Sequence, residues 1–112
     1  MKEENKPLFN LFKEYRWMKE LIEEKEAMSA QYANDPFLSQ LNQGTNEELA
    51  DLKDKVAHVD RKMHLVKDDK AYWMLNLLRQ GHSAREVIRL MRTSSKTFYA
   101  KCDAALTDIS KE

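Results

Sequence analysis

The cationic side chains of this chain cluster in one segment, and phosphate is the chemical group that such a cluster would bind. The chain of 112 residues is neutral as a whole, with 19 Lys and Arg against 19 Asp and Glu. Residues 79–101 nevertheless hold six cations against the single acid Glu86. Each cation that contacts a phosphate releases a condensed counterion, so this local excess favours binding to a nucleic-acid backbone. An ordinary solvated helix face is the alternative that the charge pattern leaves open.

The apolar pattern around these cations predicts two short helices that are joined by a tight turn at 92–94. The expected buried positions of the first helix are Val87, Ile88 and Met91, and those of the second are Phe98, Cys102, Ala105, Leu106 and Ile109. The second helix is expected over residues 95–109. A buried stripe on a short helix, a turn and a second helix with exposed N-terminal residues are typical of a helix-turn-helix.

In a helix-turn-helix the first residues of the second helix reach the base edges, and the surrounding donors bind phosphates. The expected base-reading residues are Ser95, Lys96, Tyr99 and Ala100. The expected phosphate-binding residues are Arg85, Arg89, Arg92, Ser94, Thr97 and Lys101. The two hydroxyl residues are included because a helix N-terminus with free amides and hydroxyls binds anions.

The segment 83–109 resembles the helix-turn-helix of region four of sigma factors. The motif positions read, without a gap, Val87-Ile88, Met91-Arg92-Thr93-Ser94, Thr97-Phe98, Cys102 and Ala105-Leu106. Three residues depart from the family pattern: Ile88 replaces a small residue, Arg92 replaces the turn glycine and Thr93 replaces an apolar residue. Because the helices cross where the small residue normally lies, a somewhat different crossing angle is expected.

Residues 1–66 predict two long helices that pack antiparallel in a coiled-coil-like hairpin. The first is expected from Pro7 to about Tyr32, residues 33–44 connect the two, and a capping box at Thr45 and Glu48 begins the second. The apolar seam, expected to mediate oligomerisation, consists of Leu11, Tyr15, Met18, Ile22, Leu49, Leu52, Val56, Val59 and Met63. The spacing leaves open whether the helices pair within one chain or between two. A lone hairpin would leave Trp17 exposed, which favours a dimer or a helical bundle.

The predicted fold is therefore all-α, with a helical hairpin arm at 1–66 and a three-helix helix-turn-helix module at 67–112. The first helix of the module is expected from Lys70 to Gln80, after a cap at Asp68-Asp69, and Gly81 ends it; Ser83 and Glu86 form a capping box for the next helix. The charge also divides at this boundary: residues 1–66 hold 10 Lys and Arg against 13 Asp and Glu, and residues 67–112 hold 9 against 6.

A helical arm followed by such a module resembles the small ArpU/RinA-type late-gene regulators of Gram-positive bacteriophages. The resemblance implies a transcription regulator of phage or prophage origin that binds double-stranded DNA, with RNA polymerase or another regulator protein as a further partner. The helical arm is expected to make the chain a homodimer. The alternative is a protein-interaction adaptor or inhibitor, because the neutral charge, the acidic arm and the aromatic-rich first helix also fit a protein partner.

Neither enzymatic activity nor a cofactor or metal site is expected. His58 and His64 lie six residues apart, which does not place them on one helix face as metal ligands. Cys102 falls at an inward position, as a small buried hydrophobe does. A single cysteine fits a reducing compartment, and no apolar run approaches the roughly 20 residues of a membrane span, so we expect a cytoplasmic protein that does not bind membranes.

Overall fold

The computed structural model describes residues 1–32 and 43–111, and every regular element in these ranges is helical. A 3-10 turn, Glu3–Asn5, precedes five α-helices in the described ranges. These helices are α1 (Lys6–Tyr32), α2 (Gln43–Met63), α3 (Asp69–Arg79), α4 (Ala84–Leu90) and α5 (Ser95–Ser110). The all-α class is thus confirmed. No helix among these residues is long and apolar enough to cross a membrane.

Local capping interactions set the ends of the C-terminal helices, as the sequence predicts. The Asp68 carboxylate accepts a hydrogen bond from the amide of Ala71 at 2.9 Å and begins α3. Ser83 and Glu86 form a capping box, in which each side chain accepts a hydrogen bond from the amide of the other residue. Gly81 has φ of 105°, and this left-handed conformation, which glycine adopts without strain, follows the end of α3.

The predicted start of α2 is wrong. The helix begins at Gln43, whereas a cap at Thr45 would begin it three residues later. The Glu48 carboxylate, expected to complete the cap, forms an ion pair with Lys25 of α1 at 2.9 Å. The side chain of Thr45 and residues 33–42 of the predicted connection lie outside the described residues.

α1 and α2 run antiparallel, because contacts later in α1 are made with residues earlier in α2. The Tyr15 hydroxyl donates a hydrogen bond to Asp60 at 2.8 Å, whereas Lys25 pairs with Glu48. The nine residues of the predicted seam lie between the two helices or at the edge of their contact, and five of them are buried and four half-buried within one chain. Within one chain they stabilise the contact between α1 and α2, and their assignment to oligomerisation stays a prediction.

The N-terminal helices and the C-terminal helices share one hydrophobic core. The predicted boundary at residue 66 falls in the connection between α2 and α3, but buried side chains from both sides of it belong to the same cluster. Its members include Phe9, Phe12, Val59, Met63, Leu75, Leu78, Val87, Phe98, Leu106 and Ile109. Residues 1–66 and 67–112 are therefore not independent packing units.

A polar network joins α1, α2 and α3 at the edge of this core. Arg79 donates hydrogen bonds to Asp60 at 3.0 Å and to the side-chain oxygen of Asn76 at 2.9 Å, and its guanidinium lies 5.4 Å from the centre of the Tyr15 ring. Burial, together with the hydrogen bond to Asp60, raises the pKa of Tyr15 to about 12. Arg79, one of the six clustered cations, is thus used to hold three helices together.

The 3-10 turn at the start of the chain is anchored on α5. Asn5 is 2% exposed, and its side-chain amide donates to the carbonyl of Asp103 at 3.2 Å, the carboxylate of Asp103 at 2.7 Å and the hydroxyl of Thr107 at 2.9 Å. The backbone amide of Lys2 donates to the same carboxylate at 3.1 Å. These hydrogen bonds, that of Asn5 first, hold the pKa of Asp103 below its usual value of 3.8.

We predict that Asn5→Ala lowers the free energy of unfolding by about 1–2 kcal/mol, because several buried or half-buried hydrogen bonds lose their donor. Urea denaturation followed by circular dichroism measures this change. The matched control is Asn10→Ala, at an exposed position of α1, which should change stability by less than about 0.5 kcal/mol. Equal effects of the two substitutions would show that the anchor does not stabilise the fold.

The same anchor predicts a pH dependence. Because the folded pKa of Asp103 lies below its unfolded value, its ionised form stabilises the fold above that unfolded value, and this contribution is lost as the pH falls through the folded pKa. The stability difference between the parent chain and Asn5→Ala should therefore shrink between about pH 5 and about pH 2. Urea denaturation at several pH values tests this, and a constant difference would contradict it.

Candidate nucleic-acid interface

The turn between α4 and α5 holds a non-glycine residue in the left-handed conformation. Arg92 has φ of 52°. Its amide donates to the carbonyl of Arg89 at 3.2 Å, and the amide of Thr93 donates to the carbonyl of Ile88 at 3.1 Å. These two hydrogen bonds form the Schellman motif, whose left-handed position is usually occupied by glycine. The arginine therefore adopts the backbone conformation that glycine usually has in this motif.

A hydroxyl pair begins α5. The Ser94 hydroxyl accepts a hydrogen bond from the Thr97 amide at 3.1 Å and donates one to the Thr97 hydroxyl at 3.0 Å. The hydrogen of the Thr97 hydroxyl is then directed away from Ser94, and the amides of the first two helical residues have no acceptor within the helix. These donors, at the positive end of the helix dipole, can bind an anion of the phosphate class.

The first two turns of α5 present the expected base-reading residues to solvent. Ser95, Lys96, Tyr99 and Ala100 are all exposed, whereas Phe98 between them is completely buried. The ring of Tyr99 lies 4.9 Å from that of Phe98 and 6.1 Å from that of Phe9, measured between ring centres. Packing on one side thus restricts an aromatic side chain that is exposed on the other.

The expected phosphate-binding residues differ in their exposure to solvent and in their ion pairing. Arg85, Arg89, Arg92, Ser94 and Thr97 are exposed. Among the described residues, no ion pair involves Arg85, Arg89, Arg92 or Lys96. Lys101 is half-buried, and its ammonium lies 3.8 Å from the Asp68 carboxylate, which offsets part of its charge. We call Arg85, Arg89, Arg92, Lys96 and the exposed first turns of α5 the cationic surface.

The start of α1 adjoins the cationic surface, and the sequence analysis did not place it there. Phe9 contacts Tyr99, and the ammonium of Lys13 lies 5.6 Å from the centre of the Phe9 ring. Phe9 is not one of the predicted seam residues of α1, and it contacts α5. Lys13 is therefore a further cation close to the presented face of α5.

The shifted pKa values of Glu86 and Cys102 are explained by local hydrogen bonds and by burial. His82 lies 3.3 Å from Glu86, and the hydrogen bonds from Ser83 and His82 lower the pKa of Glu86. Burial raises the pKa of Cys102 to about 12, so its thiol stays protonated near neutral pH. Within the described ranges no group of three or more His, Cys, Asp or Glu residues could hold a metal ion.

We predict that Arg92→Gly raises the free energy of unfolding by about 1 kcal/mol, because glycine adopts the left-handed conformation without the steric cost that arginine has. The control is Arg89→Gly, in the helical conformation of α4, which should lower it by about 1 kcal/mol. Urea denaturation of both variants measures the two changes. Destabilisation of similar size in both would show that residue 92 is not held in the left-handed conformation.

No family model matches the chain, and it has no match among the curated proteins or the solved structures.

Proposed function

We propose that the chain is a sequence-specific DNA-binding transcription regulator in which α4, the turn and α5 form a helix-turn-helix and α5 enters the major groove. The observation that carries this proposal is the alternation at the start of α5, where Lys96 and Tyr99 are exposed and Phe98 is completely buried. Such a helix is held rigidly by its buried residue while its neighbours reach the base edges, as recognition of the major groove requires.

The exposed cations of α4, the turn and the start of α5 support the proposal, since no ion pair among the described residues neutralises them. Arg85 and Arg89 lie on α4 and Arg92 in the turn, and phosphates on either side of the groove are their expected ligands. Arg79 is hydrogen-bonded to Asp60, and the ammonium of Lys101 lies close to the Asp68 carboxylate. Because part of their charge is offset, both should contribute less to DNA binding than the other cations. In this interpretation the three-helix module comprises α3, α4 and α5, packed against the antiparallel pair of α1 and α2.

The biological setting that we propose follows the resemblance to ArpU/RinA-type regulators. The chain would act in the cytoplasm on phage or prophage promoters, as a homodimer, and would contact RNA polymerase or another regulator protein. Its own gene region is therefore the first DNA to test.

DNA binding is tested by fluorescence anisotropy with duplexes from the region of the chain's own gene and with scrambled duplexes, each at two salt concentrations. We expect preference for the native duplexes and a steep loss of affinity with salt. If Arg85, Arg89 and Arg92 each contact a phosphate, the logarithmic salt slope should be about −3 per chain. Absence of binding at the lower salt concentration would contradict the proposal.

Two substitutions separate base reading from phosphate contact. Lys96→Ala should reduce the preference for the native duplex, by about 1–3 kcal/mol if its ammonium reads a base edge. Arg89→Ala should weaken binding to both duplexes alike and make the salt slope shallower by about 1. The control, Lys55→Ala on the exposed side of α2, should bind as the parent chain does. If Lys96→Ala and the control behave alike, α5 is not the reading helix.

The second candidate function is a protein-interaction adaptor or inhibitor, and the exposed large apolar residues favour it. Trp17, Trp73 and Leu90 are each more than half exposed. Leu90 is the last residue of α4 and lies two residues before the turn arginine, so a protein partner could bind beside the cationic surface. Lack of DNA binding together with co-purification of one defined protein would select this function.

A further inference from the structure

One side of α1 carries an apolar stripe that the other described elements cover only in part. Its leucine, Leu21, packs against the cluster of Met18, Leu52 and Val56. Trp17 is 58% exposed and Met28 is 40% exposed, and the half-buried Leu21 lies between them. Steps of four and seven residues bring all three to the same side of a helix. A tryptophan and a methionine aligned with a leucine on a solvent-facing helix are the expected sign of an interaction surface rather than of scattered exposure. We call these three residues the outer stripe.

The charges that flank the outer stripe change sign along α1. Before and beside Trp17 lie Lys13, Glu14 and Arg16, and after it lie Glu20, Glu23 and Glu24, all of them exposed. The first group carries a net positive charge and the second is entirely negative. Lys19, also exposed, lies between the two groups, and Arg16 forms an ion pair with Glu20 of the same chain at 3.0 Å. A second copy that packs antiparallel brings the positive group of each chain to the negative group of the other, at both ends of the contact. A parallel copy would place like charges opposite each other.

We propose that the outer stripe is a dimer interface, in which the α1 helices of two copies pack antiparallel about a two-fold axis near residue 19. In this arrangement Trp17 of each copy lies against Leu21 of the other, and Lys13 lies opposite Glu24. The same patch serves both partners, as a two-fold symmetric contact requires. This interface leaves the contact between α1 and α2 intact, unlike one built from the buried seam.

The dimer would also set the distance between two cationic surfaces. Phe9, which contacts Tyr99, lies ten residues before the crossing point, so at a rise of 1.5 Å per residue the two Phe9 residues are about 30 Å apart along the helices. Phe9 is also about 80° around the helix from Trp17. The two-fold axis keeps both Phe9 residues on the same side of the dimer. This spacing is close to the roughly 34 Å between half-sites one DNA turn apart.

The dimer itself is tested without DNA, by sedimentation equilibrium of the full chain at micromolar concentrations. We expect a monomer–dimer equilibrium for the parent chain and a monomer for Trp17→Glu. The matched control is Trp73→Glu, since Trp73 of α3 is exposed to a similar degree, at 53%, and lies outside the stripe. The control should dimerise as the parent does, and circular dichroism confirms that both variants keep their helices.

Charge reversal tests the antiparallel arrangement. An acidic variant, Lys13→Glu with Arg16→Glu, and a basic variant, Glu20→Lys with Glu24→Lys, should each dimerise at least tenfold more weakly than the parent. An equimolar mixture of the two should recover dimers, because each positive group again meets a negative one. Reversal of Asp54 and Lys55, on the exposed side of α2, is the control and should have no effect.

Several results would overturn the interface. A parent chain that stays monomeric would assign the outer stripe to a different protein. Equal dimerisation of Trp17→Glu and Trp73→Glu would locate the contact elsewhere, and an acidic variant that dimerises as the parent does would exclude antiparallel pairing.

The half-site spacing alone rests on the proposed function. Monomeric Trp17→Glu retains the cationic surface, so it should still bind DNA at low salt, with about half the salt slope of the dimer. A parent chain that dimerises but does not bind DNA would refute the proposed function and leave the interface standing.

Discussion

The burial of the first turns of α1 is the constraint on which the rest of the structure depends. Phe12 is completely buried in a cluster that also contains residues of α2, α3, α4 and α5. A long helix in water gains most of its stability from the surfaces that cover it, and α1 is covered by α2 on one side and by the C-terminal helices near its start. The position of the cationic surface is therefore determined by the N-terminal helix as well as by α4 and α5, which carry the surface.

Features that depend on neighbours in the sequence could be predicted, and features that depend on distant partners could not. The cap at Asp68, the capping box of Ser83 and Glu86, and the bounds of α5 follow from interactions within four residues. Thr45 and Glu48 have the sequence pattern of a capping box, but the Glu48 side chain pairs with Lys25 of α1. A pattern of neighbouring residues cannot predict that contact. A seam with 3,4 spacing likewise predicts a helical contact without saying whether the partner helix belongs to the same chain.

In the candidate site, too, features set by neighbouring residues could be predicted and features set by distant residues could not. The exposure of Lys96 and Tyr99 follows from the period of the buried residues in α5, and so could be predicted. The different roles of the clustered cations could not, because a charge count treats Arg79 and Arg89 alike. In the structure Arg79 bonds to Asp60 and Asn76 inside a polar network, whereas Arg89 points to solvent with no ion-pair partner among the described residues. Likewise, only the folded chain shows that Phe9 contacts Tyr99.

The hydrogen bonds between Asn5 and α5 have a consequence for the order in which the chain folds during its synthesis. Asn5 meets Asp103 and Thr107, which are 98 and 102 residues later in the chain. During synthesis α1 leaves the ribosome long before α5 has been translated. The apolar side chains of α1 that pack against α5 therefore stay exposed until then. The pair of α1 and α2 can form early, but the aromatic contact that supports Tyr99 and the anchor of Asn5 are completed only when α5 has emerged.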